Sequence, residues 1–218
     1  MSSCCSSFFT ANQRHFSDAV ARRDLTRYRS RGPDQTTRLL RDAIIEAGNG
    51  KTVLDVGAGI GVLSFELLAA GAERVTAVEA APAYVAAARA EAQRRNLSDR
   101  LDVVPGDFMA VAGNVAQTDV VTLDRVVCCY PAYRPLLEAA LHRSRRLLAF
   151  SYPRDLWYVR VAVAVQNLTR ALFQNPFRGF VHSGHGMEAV LEQHGFVRIR
   201  RRETLKWSAD LYSRANAA

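Results

Sequence analysis

Val53-Leu54-Asp55-Val56-Gly57-Ala58-Gly59-Ile60-Gly61 decides how this chain folds. A run of strand character leads straight into glycines on alternate positions. A helical pattern then starts at once with Val62, Leu63, Phe65, Glu66, Leu67 and Leu68. Strand, glycine turn and helix N-terminus together make a place to hold a nucleoside-bearing ligand. Glycine suits the turn because the backbone must bend tightly and admit a ligand with no Cβ in the way.

The spacing of the glycines narrows the ligand. A dinucleotide fold uses G-x-G-x-x-G, with a pyrophosphate at the helix N-terminus. Here the third glycine comes one residue early, and Asp55 precedes the set. This D-x-G-x-G-x-G form resembles the first motif of class I S-adenosylmethionine-dependent methyltransferases, whose cofactor carries no phosphate. The resemblance implies an α/β fold with a doubly wound, mostly parallel seven-stranded sheet, helices on both faces and the last strand antiparallel. It implies S-adenosylmethionine as cofactor, with Asp55, Gly57, Ala58, Gly59 and Gly61 forming its loop.

Outward from the loop, Arg74 to Glu79 reads as strand two. A carboxylate closing that strand, about twenty residues past the glycines, stands where an acidic residue accepts from ribose hydroxyls. Pro82 opens an Ala-rich helix to about Arg95. Leu101 to Val104 is strand three, followed by Pro105-Gly106-Asp107-Phe108. By resemblance, Asp107 accepts from the adenine amino group and Phe108 packs on the ring; the alternative is a helix cap and a core aromatic. Asp119 to Val127 reads as strand four, with near-continuous apolar character that marks a strand covered on both faces. Asp124, Arg125 and Cys128-Cys129-Tyr130-Pro131 fall at its carboxyl end, where open α/β sheets bind ligands. Arg145 to Tyr152 is strand five. The alternation of strand and helix implies a parallel sheet.

Before the first strand, Asn12 to Tyr28 has helical spacing of Phe16, Val20 and Leu25. Ser30-Arg31-Gly32-Pro33 breaks it, and Asp34 caps a second helix to about Ala47. By resemblance these helices cover the cofactor, with Tyr28, Thr36, Thr37 and Arg38 toward its methionine end; a packing helix with polar surface residues is the plainer alternative. After strand five, residues 155–173 read as a long, mostly apolar helix, expected to roof an apolar pocket together with the two N-terminal helices. Asn175 to His182 is extended, Met187 to His194 helical, and Phe196–Thr204 with Lys206–Ser213 a closing antiparallel pair. The domain plan is a tail at 1–11 and one domain at 12–214. Within it, 12–48 is a helical cap, 50–152 the cofactor core, and 153–214 the substrate side. The Asn175-Pro176-Phe177-Arg178 piece and the Trp207…Leu211-Tyr212-Ser213 ending resemble methyltransferases of tetrapyrrole and quinone pathways, without choosing a substrate.

Composition sets outer bounds. The 218 residues fit one domain, and 49% hydrophobic with 23% charged residues is ordinary for a globular protein. No apolar run reaches the roughly 20 residues that span a bilayer. The first residues lack the basic and apolar regions of a secretory signal, so the cytoplasm is expected. Cys4-Cys5 and Cys128-Cys129 offer no zinc-ligand spacing, and no metal is expected. Cys128 and Cys129 read as small buried fillers. The net charge of +8 comes mainly from scattered arginines, with no aromatic-interleaved basic stripe. That disfavours a nucleic-acid partner, as does Cys-Cys-Tyr-Pro where base-methylating enzymes carry Asn-Pro-Pro-Tyr.

The expected reaction is in-line methyl transfer to a small-molecule acceptor. Its alternatives are a nucleic-acid methyltransferase and a non-catalytic cofactor-binding protein of the same fold. A nicotinamide-dependent dehydrogenase is disfavoured by the glycine spacing. The candidate bases are His182 and His185, whose imidazoles titrate near neutral pH, with Asp124 and Tyr130 beside the expected methyl position. The sequence leaves the acceptor and the oligomeric state open.

Overall fold

The computed structural model describes residues 16–215. The expected tail at 1–11 and the expected helix start at Asn12 lie outside them. Helices α1 (Asp18–Arg31) and α2 (Gln35–Glu46) lead into β1 (Thr52–Val56), α3 (Val62–Ala69), β2 (Arg74–Glu79), α4 (Pro82–Arg94) and β3 (Leu101–Pro105). A one-turn helix α5 (Phe108–Val111) precedes β4 (Thr118–Leu123), α6 (Tyr133–Arg143) and β5 (Ser144–Pro153). Helices α7 (Trp157–Leu172) and α8 (Gly184–Gln193) follow, then β6 (Phe196–Glu203) and β7 (Trp207–Arg214).

The seven strands form one sheet in the order β3-β2-β1-β4-β5-β7-β6. β1 to β5 pair in parallel, while β7 lies antiparallel to both β5 and β6. This is the doubly wound α/β architecture with a reversed last strand that the sequence implies. The chain moves outward from β1 on one side and restarts with β4 on the other. The crevice for ligands in such sheets lies at the carboxyl ends of these strands.

Alternation along each strand builds two cores. Val53, Val75, Val120 and Leu147 pack with α1 to α4. Leu54, Val78, Val121 and Leu148 pack on the opposite face with α6 and α8. Strands buried on both faces need no polar alternation, which is why they read as apolar runs.

Three features differ from the sequence reading. α1 runs one turn past Tyr28 and ends at Gly32, whose φ of 71° stops it. Arg29 on that extra turn reaches Glu91 of α4 at 2.6 Å, a tertiary contact that overrides the weak helix preference of Ser30. β4 ends at Leu123, not Val127; Arg125 takes a φ of 61° and Val127–Cys129 close a short 3-10 turn. The Asp124 side chain drives this bend, because it is tied to Ser151 and Thr37.

The third difference is α7. Its position matches the expected apolar helix, but among its residues only Val159 is buried. Trp157, Val161, Val165, Leu168 and Leu172 face outward, so the helix does not turn its apolar face to a pocket. Among the described residues no helix is long and apolar enough to cross a membrane.

Candidate functional site

The glycine turn after β1 is held open by backbone geometry. Gly57 has a φ of 62°, and a Cβ there would stand 2.6 Å from Val126. Gly59 has a φ of 60° and faces open space, with nothing within 4 Å of an added Cβ. Left-handed backbone of this kind is strained for any side chain. A cavity of about 480 Å³ opens beside the turn, within the range of small-ligand sites. Gly57, Ala58 and Gly59 line it, together with Glu79, Phe108, Asp124, Tyr130 and Tyr28.

Glu79, at the carboxyl end of β2, sits against the turn. Its Oε2 accepts the Gly59 N–H at 2.7 Å, and its Oε1 accepts the Ala81 N–H at 2.7 Å. Burial pushes its carboxyl above the ordinary range, opposed by the backbone N–H groups of Ala81, Gly59 and Ala80. Each carboxylate oxygen has two acceptor positions, so one on each remains for a ligand hydroxyl.

Asp55 lines the same cavity from beneath. Its carboxylate is fully buried and accepts from Ser64 at 2.6 Å and Thr122 at 2.7 Å. Burial pushes it up to about 6, against those two donors. Asp55 thus ties the turn to α3 and β4.

Asp124 also borders the cavity and is heavily engaged. It accepts from Ser151 at 2.5 Å and from Thr37 at 2.6 Å, and Arg125 lies 3.7 Å away. Arg125 pairs more closely with Asp34, at 2.6 Å. Burial raises the Asp34 carboxyl, but the Arg125 guanidinium and the Thr37 donors outweigh it and hold the group below its usual range. The N-terminus of α2 is thereby clamped to the ends of β4 and β5.

Asp107 caps α5 by accepting the Met109 N–H at 3.1 Å. It also accepts the Tyr130 hydroxyl at 2.5 Å. Both bonds go to Oδ1. Burial and the Asp107 carboxylate push the Tyr130 phenol up, so this hydroxyl stays a donor. Tyr28 donates to Glu66 at 2.9 Å, and burial and that carboxylate push its phenol up too.

Other sequence candidates stand apart from the cavity wall. Arg38 is exposed on α2 and does not line it; Thr36 and Thr37 are buried on the packed face of that helix with Leu40, Ala43 and Ile44, and they do not line the cavity either. Gly61 caps α3 beneath the turn and packs near Phe65. His185 is exposed on α8. His182 Nε2 lies 2.9 Å from the Tyr130 carbonyl and 3.2 Å from that of Val127. Burial lowers its pKa, so the ring braces the Val127–Tyr130 turn as a neutral donor. Cys128 is buried as the sequence suggested and Cys129 half-buried; both also line the cavity, with their sulfurs 4.0 Å apart.

Sequence reasoning passed over several wall residues. Asp24 and Arg27 come from α1, Arg170 from α7, and Trp207 from the start of β7. No local motif marks them, since only the tertiary arrangement brings them together. The lining holds five carboxylates (Asp24, Asp34, Asp55, Glu79, Asp124) against three arginines. This acid-rich pocket in a protein of net charge +8 suits a ligand carrying positive charge. Among the described residues no cluster of three or more His, Cys, Asp or Glu is arranged to hold a metal ion.

Residues 53–150 match the family profile described as a methyltransferase domain. Among curated proteins, the ribosomal protein L11 methyltransferase of Geobacter metallireducens is 33% identical over 97 residues, covering 42% of this chain and 32% of the relative. That of a Psychrobacter species is 31% identical over 113 residues, covering 50% of this chain and 35% of the relative. The chain thus spans about a third of the length of the curated relatives it matches. Among solved structures, magnesium protoporphyrin IX methyltransferase from Synechocystis with bound SAH superposes with a TM-score of 0.68 at 22% identity, covering 83% of this chain and 82% of that one. A putative RNA methyltransferase from Pyrococcus horikoshii superposes with a TM-score of 0.63 at 22% identity, covering 86% of each chain. At these identities the structural likeness shows a common fold.

Proposed function

We propose that this chain, whose residues 53–150 match a methyltransferase domain, is a class I S-adenosylmethionine-dependent methyltransferase that binds its cofactor in the cavity beside Gly57–Gly61 and methylates a small-molecule acceptor. One observation carries this reading. The Glu79 carboxylate stands 2.7 Å from the Gly59 amide, at the edge of a cavity that no side chain fills. The residues fit the cofactor: Glu79 keeps acceptor capacity for ribose hydroxyls, Phe108 offers an aromatic wall, and Asp107, between the wall residues Gly106 and Phe108, takes both of its internal donors on Oδ1. The acid-rich lining fits a cationic sulfonium and amino group.

When bound, the cofactor supplies an electrophilic methyl group on a sulfur that leaves neutral. The protein therefore has no leaving group to protonate. Its work is to hold the acceptor in line, and such positioning can contribute about 7–11 kcal/mol. Tyr28, Asp124 and Tyr130 are fixed by hydrogen bonds, so they are walls of set shape. Proton removal matters only for a protonated acceptor atom. Asp124 is the cavity carboxylate placed for it at the end of β4, with Ser151 and Thr37 orienting both oxygens.

The ribosomal-protein relatives match no more than half of this chain and about a third of their own length, so they do not decide the acceptor. The test has two stages. Calorimetric titration with S-adenosylmethionine, S-adenosylhomocysteine and NAD should show binding of the first two only; the reverse outcome overturns the reading. Labelled S-adenosylmethionine is then incubated with a fractionated cell extract. Label in the small-molecule fraction supports the acceptor class, and label in protein or RNA refutes it.

A further inference from the structure

The outward face of α7 is the most apolar exposed surface among the described residues. Trp157, Val161, Val165, Leu168 and Leu172 recur at helical spacing. At about 100° per residue they and Ala164 and Ala171 fill an arc of roughly 120°. The exposures are large: 77% for Trp157, 62% for Leu168 and 73% for Leu172. Phe173 extends the face at one end at 84%, and Leu205 at the other at 80%. Leu205 is held there by its carbonyl, which accepts the Tyr158 hydroxyl at 2.6 Å. The opposite side of α7 is anchored: Asn167 bonds the backbone of Gly179 in both directions, and Arg170 covers the Phe177 ring. The helix is firmly seated with its apolar side outward.

Charge identifies the occupant. From Leu156 to Met187 there is no aspartate or glutamate, while Arg160, Arg170 and Arg178 fall in the same stretch; Arg160 pairs with Asp155 just ahead of it. Arg170 bonds the Asn167 amide and Arg178 the carbonyls of Asn175 and Phe177; among the described residues neither has a carboxylate within ion-pair distance. Lys206 stands exposed beside Leu205. A protein partner's apolar face needs no such exclusion of acid. An anionic surface does, and an apolar helix face with Trp, Leu and Phe beside basic residues is the composition of a helix lying in a lipid interface.

We propose that α7 lays its outward face on an anionic lipid bilayer, embedded in the interface and not crossing it. Arg170 belongs both to this helix and to the cavity wall, so docking sets the cavity beside the lipid. The proposal stands independently of the methyl-transfer reading.

The test is flotation of the full chain with vesicles of phosphatidylcholine alone and of phosphatidylcholine with phosphatidylglycerol. Expected is binding to the anionic vesicles at least about tenfold tighter than to the neutral ones, weakened by salt. The double variant Val161→Asp/Leu168→Asp should lose flotation at unchanged thermal midpoint, since both positions are exposed. Trp157→Ser should abolish the blue shift in tryptophan emission that accompanies binding. No flotation, equal binding to neutral vesicles, or undiminished binding by the double variant would each overturn the proposal. So would a solution dimer that the same substitutions dissociate, because it would assign the face to a second copy of the chain.

Discussion

Replacing Glu79 by glutamine separates the two duties of this carboxylate. In the folded chain it accepts from Gly59 and Ala81, both at 2.7 Å. A glutamine amide has one acceptor oxygen, so its NH2 must face one of those N–H groups. An unmatched buried donor costs about 1–3 kcal/mol, and this loss of stability should be present without ligand. Affinity should fall separately. Hydrogen bonds to a charged acceptor contribute about 1.5–3 kcal/mol and those to a neutral one about 0.5–1.5. The difference is about 1 kcal/mol for each of two ribose hydroxyls, or about 2 kcal/mol together. That corresponds to roughly 30-fold weaker S-adenosylhomocysteine binding. Calorimetry with S-adenosylhomocysteine and its 3′-deoxyribose analogue, on both proteins, isolates the contact. The wild-type protein should lose more affinity than Glu79→Gln when the hydroxyl is removed. Equal losses in the two proteins would refute the ribose contact and leave Glu79 as a latch for the turn.

Gly59→Val should fold with a cost of about 1–2 kcal/mol for left-handed backbone and should lose S-adenosylhomocysteine binding in the same titration, because its side chain would enter the open cavity. Asp55 should make stability fall as pH rises. Its folded carboxyl holds a proton to about 6, and the unfolded one releases it near 3.8, so the folded state binds more protons between those values. The loss, about 3 kcal/mol, should be complete above pH 6 and absent in denaturant titrations of Asp55→Asn. Glu91→Gln should destabilise by about 3 kcal/mol, since the buried Glu91 carboxylate gathers Arg29, Arg94 and Arg95 at 2.6–2.7 Å. The hydrogen bonds from Arg94, against the opposing effect of burial, and those from Arg29 and Arg95 hold its carboxyl below the usual range. Its contribution is therefore present above the ordinary glutamate pKa and lost as pH falls, and urea unfolding across the acid range reads it.

The glycine turn and the carboxylate beside it were legible because their signals are local. Gly57 and Gly59 take left-handed backbone and Glu79 closes β2, so spacing alone brought the turn and the carboxylate together. The doubly wound sheet was legible for the same reason: each buried strand announces itself as an apolar run between turn residues. The acceptor side was not. Asp24, Arg170 and Trp207 reach the cavity from elements far apart in the chain, and no periodicity links them. The face of α7 misled the reading because an apolar helix looks alike whether it faces a core or an interface. Asp124 ended β4 early through Ser151 and Thr37, contacts across 27 and 87 residues of chain. Arg38 pointed outward because the phase of α2 is set by burial of Leu40, Ala43 and Ile44.

The reversed strand β7 has a consequence for the order in which the protein becomes complete. Its first residue, Trp207, pairs with Pro153 at the carboxyl end of β5 and contributes to the cavity wall. During synthesis the glycine turn, Glu79 and Asp124 emerge long before it. A nascent chain can close the nucleoside half of its site while β5 still presents a bare edge, open to mispairing. The cavity acquires its last wall only when β7 threads between β5 and β6. A ribosome stalled before residue 207 would therefore display an intermediate with its glycine turn formed and its cavity still open on the Trp207 side.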